Sequence, residues 1–102
     1  MEYFPIFMAL KGQTCLIIGG GRIAYRKAIS LNKAGAKLKV IALEIGDELR
    51  ELVAMGGGEC LQREFVESDF DGCRLVISAT DNKSLNQRVS VLAQQRQLPV
   101  NV

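Results

Sequence analysis

Gly19-Gly20-Gly21-Arg22-Ile23-Ala24 follows directly on the apolar run Cys15-Leu16-Ile17-Ile18 and reads G-x-G-x-x-A where a strand gives way to a helix. That spacing suits a dinucleotide. The first glycine lets the chain turn off the strand, and the second lets the backbone approach a pyrophosphate. The small residue lets the helix lie close on the sheet. The helix then turns its unpaired N–H groups and the positive end of its dipole toward the phosphates. Gly19, Gly20, Gly21, Arg22, Ile23 and Ala24 are therefore the first set of candidate cofactor-binding residues. A tight corner with no ligand is the plain alternative, since any such corner favours glycine.

A second set lies further along. In an open parallel sheet the ligand sits beyond the carboxyl ends of the strands where their order reverses, which brings Ala79-Thr80-Asp81 beside the glycine turn. Thr80 and Asp81 stand where they can edge a nicotinamide, or simply cap the helix that follows. An acid ending the second strand would bind the adenosine ribose of NAD. Counting 20 residues from Ala24 reaches Glu44, whereas the usual strand register reaches Ala42, which cannot accept a hydrogen bond through its side chain. The Leu43-Glu44 pair is taken as the adenosine contact, and the lack of a cation beside it favours NAD over NADP.

Alternating strands and helices must position these residues. Thr14 to Ile18 reads as the first strand, and Ala24, Ala28 and Leu31 mark the buried face of a helix from Arg22 to Ala34, ended by Gly35. Lys37 to Leu43 is a second strand. A short helix after Gly46 turns Leu49, Leu52 and Val53 inward, and Gly56-Gly57-Gly58 forms a loop before a third strand at Glu59 to Gln62. Arg74 to Ala79 is a fourth strand, Leu85, Val89, Leu92 and Ala93 line a third helix, and Leu98 to Val102 is a fifth strand. Right-handed crossovers then predict an α/β, Rossmann-type, doubly wound parallel sheet of five strands in the order 3-2-1-4-5, with helices on both faces.

Composition narrows the function. The 102 residues are 48% hydrophobic and 24% charged, which fits one globular domain rather than a disordered chain. No apolar stretch approaches the ~18 residues that span a bilayer. The apolar opening around Pro5 lacks the basic start of a signal peptide, which points to the cytoplasm. There is no histidine, so acid–base chemistry falls to a carboxylate, tyrosine, lysine or water. Cys15, Cys60 and Cys73 lack metal-ligand spacing and read as reduced core thiols, so no metal site is expected. Residues 1–43 hold seven Lys and Arg against one acid, and residues 44–102 hold six against ten. The basic half either attracts an anionic ligand or reflects solvated faces. No aromatic interleaving or nucleic-acid motif accompanies it.

Pro5-Ile6-Phe7, Leu10, the block from Leu16 to Ala28, Ala79-Thr80-Asp81 with Asn86, and Asn101-Val102 together make the chain resemble the N-terminal domain of the siroheme synthase family. The resemblance runs the full length. It implies a Rossmann-type domain that binds NAD and oxidises precorrin-2 to sirohydrochlorin, with ferrous iron inserted in the complete, homodimeric protein. It carries cofactor positions onto Arg22-Ile23 and Leu43-Glu44. The family's catalytic aspartate falls beyond Val102, so no catalytic residue is assigned, and residues 1–102 are expected to be a cofactor domain with little or no turnover. Two other readings stay open. A nucleotide-sensing regulatory domain would usually carry an acid at the position of Ala42. An S-adenosylmethionine methyltransferase would want one where Ile17 and Ile18 stand.

Overall fold

The computed structural model describes residues 9–102, so the Pro5-Ile6-Phe7 part of the resemblance lies outside the described residues. Five parallel strands, β1 (Thr14–Ile18), β2 (Lys37–Ile41), β3 (Glu59–Leu61), β4 (Cys73–Ser78) and β5 (Val100–Asn101), form one sheet in the order β3-β2-β1-β4-β5. The helices are α1 (Arg22–Lys33), α2 (Asp47–Met55) and α3 (Lys83–Gln95). A short 3₁₀ turn at Glu67–Phe70 precedes β4. The expected doubly wound topology is therefore present.

The two faces follow from strand alternation. Cys15 and Ile17 of β1, with Leu38, Val40 and Ile77, face Ala24, Ala28 and Leu31 of α1 and Leu49 and Val53 of α2. Leu16, Ile18, Ile41 and Val76 face Val89 and Ala93 of α3, together with Phe65 and Phe70. Four consecutive buried residues in β1 are what a central strand covered on both sides requires. The alanines of α1 have no bulk to hold the helix away from the sheet.

The three helices end alike. In each, the third residue beyond the helix donates back to the carbonyl five positions earlier: Ala36 N to Leu31 O at 3.1 Å, Gly58 N to Val53 O at 2.9 Å and Leu98 N to Ala93 O at 2.9 Å. This closure needs a left-handed residue between helix and strand. Gly35 and Gly57 supply it for α1 and α2, and Gln97, at φ 56°, supplies it for α3. Most boundaries fall inside the expected ones: α1 stops at Lys33, β2 at Ile41 and β5 holds only Val100 and Asn101. The cap of α3 is a correction. Neither Thr80 nor Asp81 caps it; the Asn82 side chain does, accepting from Leu85 N at 3.0 Å, because the helix begins only at Lys83.

Candidate functional site

At the carboxyl ends of the strands lies an open cleft of about 1260 Å³. Its floor is the glycine turn. All three sequence-predicted segments meet there: Gly19 to Ile23 from the β1–α1 turn, Leu43 and Glu44 after β2, and Ala79 to Asp81 after β4. Ala24 does not line the cleft. It is fully buried and packs α1 on the sheet, as its small side chain suggests.

The three glycines have different jobs. Gly19 sits at φ +132°, where L side chains are strained, and a Cβ there would lie 2.2 Å from the carbonyl oxygen of Ala79. A Cβ at Gly20 would lie 1.9 Å from the carbonyl oxygen of Glu44, and Gly20 O accepts from Gly46 N at 3.0 Å. The turn is thus clamped between the chain leaving β2 and the chain leaving β4. Further bonds tie it in: Gly19 N donates to Ile41 O at 2.9 Å and Ala79 N to Ile18 O at 2.8 Å. Gly21 is the exception. Its backbone is extended (φ −97°, ψ −155°), which any residue can adopt, and a Cβ would meet nothing within 4 Å. The protein does not itself fill that space.

Gly21 is also the N-cap of α1, with no side-chain cap and no acid in the first turn. The first bond of the helix runs from Tyr25 N to Gly21 O at 3.0 Å, so the amides of Arg22 and Ile23 stand ahead of it at an exposed corner. In contrast, α2 opens on Asp47 and Glu48, and α3 is capped by Asn82. A pyrophosphate fits the corner of α1: bare donors, a positive dipole end and a space that one methyl group would occupy.

The other two segments differ in rigidity. Leu43 is 64% exposed and Glu44 is exposed, so what Glu44 turns toward the glycines is its carbonyl, not its carboxylate. Asn86 laces the β4 end. Its Oδ1 accepts from Ser78 Oγ at 2.8 Å and Thr80 Oγ1 at 2.7 Å, and its Nδ2 donates to Thr80 O at 2.9 Å. Ser78 is buried, and Thr80 Oγ1 also accepts from Asn82 N at 3.1 Å. Asp81 is exposed at the rim.

Arg63, Glu64, Phe65 and Arg88 also line the cleft, and the sequence reading had not singled them out. Phe65 is buried against Phe70 with ring centroids 5.1 Å apart, and the Arg88 guanidinium lies 5.8 Å from the Phe65 centroid. Arg63 donates to both carboxylate oxygens of Asp69, at 2.7 and 3.0 Å. Burial pushes the Asp69 carboxyl up, but the Arg63 hydrogen bonds, the Val66 N–H and the charges of Arg63 and Lys39 outweigh it and hold the group below its ordinary range. No sequence signal marks this wall, because the chain bends just past β3, where Arg63 N donates to Leu61 O at 3.1 Å.

The charge asymmetry of the sequence does not become a basic cleft. Lys37 opens β2 and Lys33 closes α1, both at the far end of the sheet, and Lys39 is tied to Asp69 at 3.7 Å. Of the seven bases in residues 1–43, Arg22 alone lines the cleft among the described residues. Arg22, Arg63 and Arg88 are matched there by Glu44, Glu64 and Asp81. The basic half is mostly solvated surface. Burial pushes the Cys15 thiol up to about 11, and all three cysteines are free.

Residues 6–102 match the model of the family described as "Putative NAD(P)-binding". The chain is similar to the siroheme synthase of Pseudomonas fluorescens (strain Pf0-1), 54% identical over all 102 residues and 22% of that protein's length. It is also similar to the siroheme synthase of Stutzerimonas stutzeri (strain A1501), 53% identical with the same coverage. The chain thus spans about a fifth of the length of these curated relatives. A solved structure, SirC, a precorrin-2 dehydrogenase, superposes with a TM-score of 0.85 at 26% identity, covering 98% of this chain and 49% of that one.

Proposed function

The chain belongs to the NAD(P)-binding family that its residues 6–102 match, and from that membership we propose that it is the NAD-binding part of a siroheme-forming enzyme. In the complete, homodimeric protein the proposed reaction oxidises precorrin-2 to sirohydrochlorin and then inserts ferrous iron. Whole-length similarity to siroheme synthases and the fold shared with a precorrin-2 dehydrogenase support this reading. The observation that carries it is Gly21, where the chain leaves open space at an uncapped helix end although its own backbone tolerates a side chain.

When bound, NAD supplies the hydride acceptor. The chain's residues bind and orient it. Amides of Gly21, Arg22 and Ile23 hold the pyrophosphate, with the Arg22 guanidinium adding a charge-assisted contact. Leu43 and Glu44 border the adenosine ribose. Ala79, Thr80 and Asp81, braced by Asn86, would edge the nicotinamide. The proton lost with the hydride passes to a base of the complete enzyme.

Calorimetric titration of the 102-residue chain tests the proposal. NAD should give a saturable signal where S-adenosylmethionine gives none, and Gly21→Val should abolish it while the circular dichroism spectrum stays unchanged. No saturable heat with any pyridine nucleotide would end this reading.

A further inference from the structure

One cation of the cleft is already engaged. The β2–β3 pairing runs from Lys39 opposite Glu59 to Ile41 opposite Leu61. Just past the end of β3 the chain bends, Arg63 N donating to Leu61 O at 3.1 Å, and Arg63 lines the same cleft as Leu43, where the proposed reading sets the adenosine ribose. An arginine near that hydroxyl is the group that accommodates the 2′-phosphate of NADP. Here its fork is turned into the protein. Nη2 donates to Asp69 Oδ1 at 2.7 Å, and Nη1 donates to Asp69 Oδ2 and to Glu64 O, both at 3.0 Å.

The acceptor cannot easily yield. Asp69 is 2% exposed, takes a further hydrogen bond from Val66 N at 2.9 Å and lies 3.7 Å from Lys39 Nζ. A two-pronged arginine–carboxylate pair of this kind is fixed in direction as well as strong. Removing the guanidinium from it would leave a buried carboxylate short of its main partner. Glu44 and Glu64 add negative charge to the same lining.

We propose that Asp69 is a specificity-determining residue: by holding Arg63 against the protein and cancelling its charge, it makes the cleft select NAD over NADP. A 2′-phosphate would meet a guanidinium already paired with a carboxylate. The inference rests on the cleft being a dinucleotide site and adds the reason for its choice.

The test measures dissociation constants of NAD and NADP for the 102-residue chain by calorimetry. Wild type should favour NAD. Asp69→Asn releases Arg63 and should improve NADP relative to NAD by at least about tenfold, the worth of one hydrogen bond to a charged group. Adding Arg63→Gln should remove that gain, and Arg63→Gln alone should leave the ratio nearly as in wild type. If circular dichroism shows Asp69→Asn unfolded, Leu43→Arg decides. It sets a guanidinium at a 64% exposed position of the same lining and should bring a similar gain in NADP.

A folded Asp69→Asn with an unchanged ratio overturns the proposal. So does a marked loss of NADP relative to NAD in an Arg63→Gln that circular dichroism shows folded, a Leu43→Arg with no gain, or a wild type that binds both cofactors equally. A wild type that binds neither overturns the dinucleotide reading itself, which the NAD titration alone reveals.

Discussion

Alanine placed in turn at Gly19, Gly20 and Gly21 should separate what the glycine turn does for the fold from what it does for a ligand. At Gly21 the new methyl meets no atom within 4 Å and the backbone is ordinary. The unfolded chain loses freedom, so Gly21→Ala should be neutral or up to about 1 kcal/mol more stable. At Gly20 the methyl would press on backbone, 1.9 Å from Glu44 O and 2.9 Å from Ile45 Cα. Forcing that loop outward should cost about 1–3 kcal/mol. Gly19→Ala combines contact with Ala79 O at 2.2 Å and a φ of +132°. Strain of about 1–3 kcal/mol then adds to a similar overpacking cost. Against a typical domain stability of about 5–15 kcal/mol, that variant should be the least stable of the three. NAD affinity should fall at least about tenfold in Gly21→Ala, or roughly 1.4 kcal/mol, because the methyl stands where the pyrophosphate would lie. Urea unfolding followed by circular dichroism, paired with calorimetric titration, reads both quantities. A Gly21→Ala that loses as much stability as the other two, or that keeps wild-type NAD affinity, would refute the division of labour.

Three other perturbations follow from particular contacts. Gln97 closes α3 from the left-handed region, so Gln97→Gly should stabilise by about 1 kcal/mol and raise Tm by roughly 4–8 °C in a thermal scan. Asn86→Ala leaves the buried Ser78 hydroxyl without its acceptor, which should cost about 1–3 kcal/mol in urea and weaken NAD binding as the Thr80 edge loosens. Because the folded protein holds the Asp69 carboxyl below its unfolded value, that group adds stability above the ordinary aspartate range, and the contribution is lost as pH falls through the lower folded value. Urea midpoints of wild type and Asp69→Asn should therefore differ at neutral pH and converge in strong acid.

The sheet order, the two helical faces and the glycine corner were legible because each rests on local rules. Four buried residues in a row mark β1, the spacing of Ala24, Ala28 and Leu31 marks the inner face of α1, and crossover handedness does the rest. The wall of the cleft from Arg63 to Phe65 was not legible. No periodicity announces it, and its shape is set by the pairing of Arg63 with Asp69 six residues on, and of Lys39 with Asp69 across thirty. Charge left two readings open for a related reason. Counting lysines along the chain ignores that Lys33 and Lys37 sit at the opposite end of the sheet from the glycine turn. Gly20 belonged to a recognised motif, yet its need for glycine comes from the carbonyl of Glu44, a contact that spacing alone does not reveal.

The placement of the turn explains how the corner keeps its shape. β1 is the central strand, paired along its length to β2 on one side and to β4 on the other. The carbonyls that close on Gly19 and Gly20 belong to the segments leaving those two neighbours, so the corner is set by the best-packed part of the sheet. The weak points lie elsewhere: β5 pairs through only two residues, and the connection to it carries the left-handed Gln97. Local opening should begin at that edge, which contributes no residue to the lining of the cleft. The helix amides are thus already directed at the cleft in the structure, so binding need not spend free energy on assembling them.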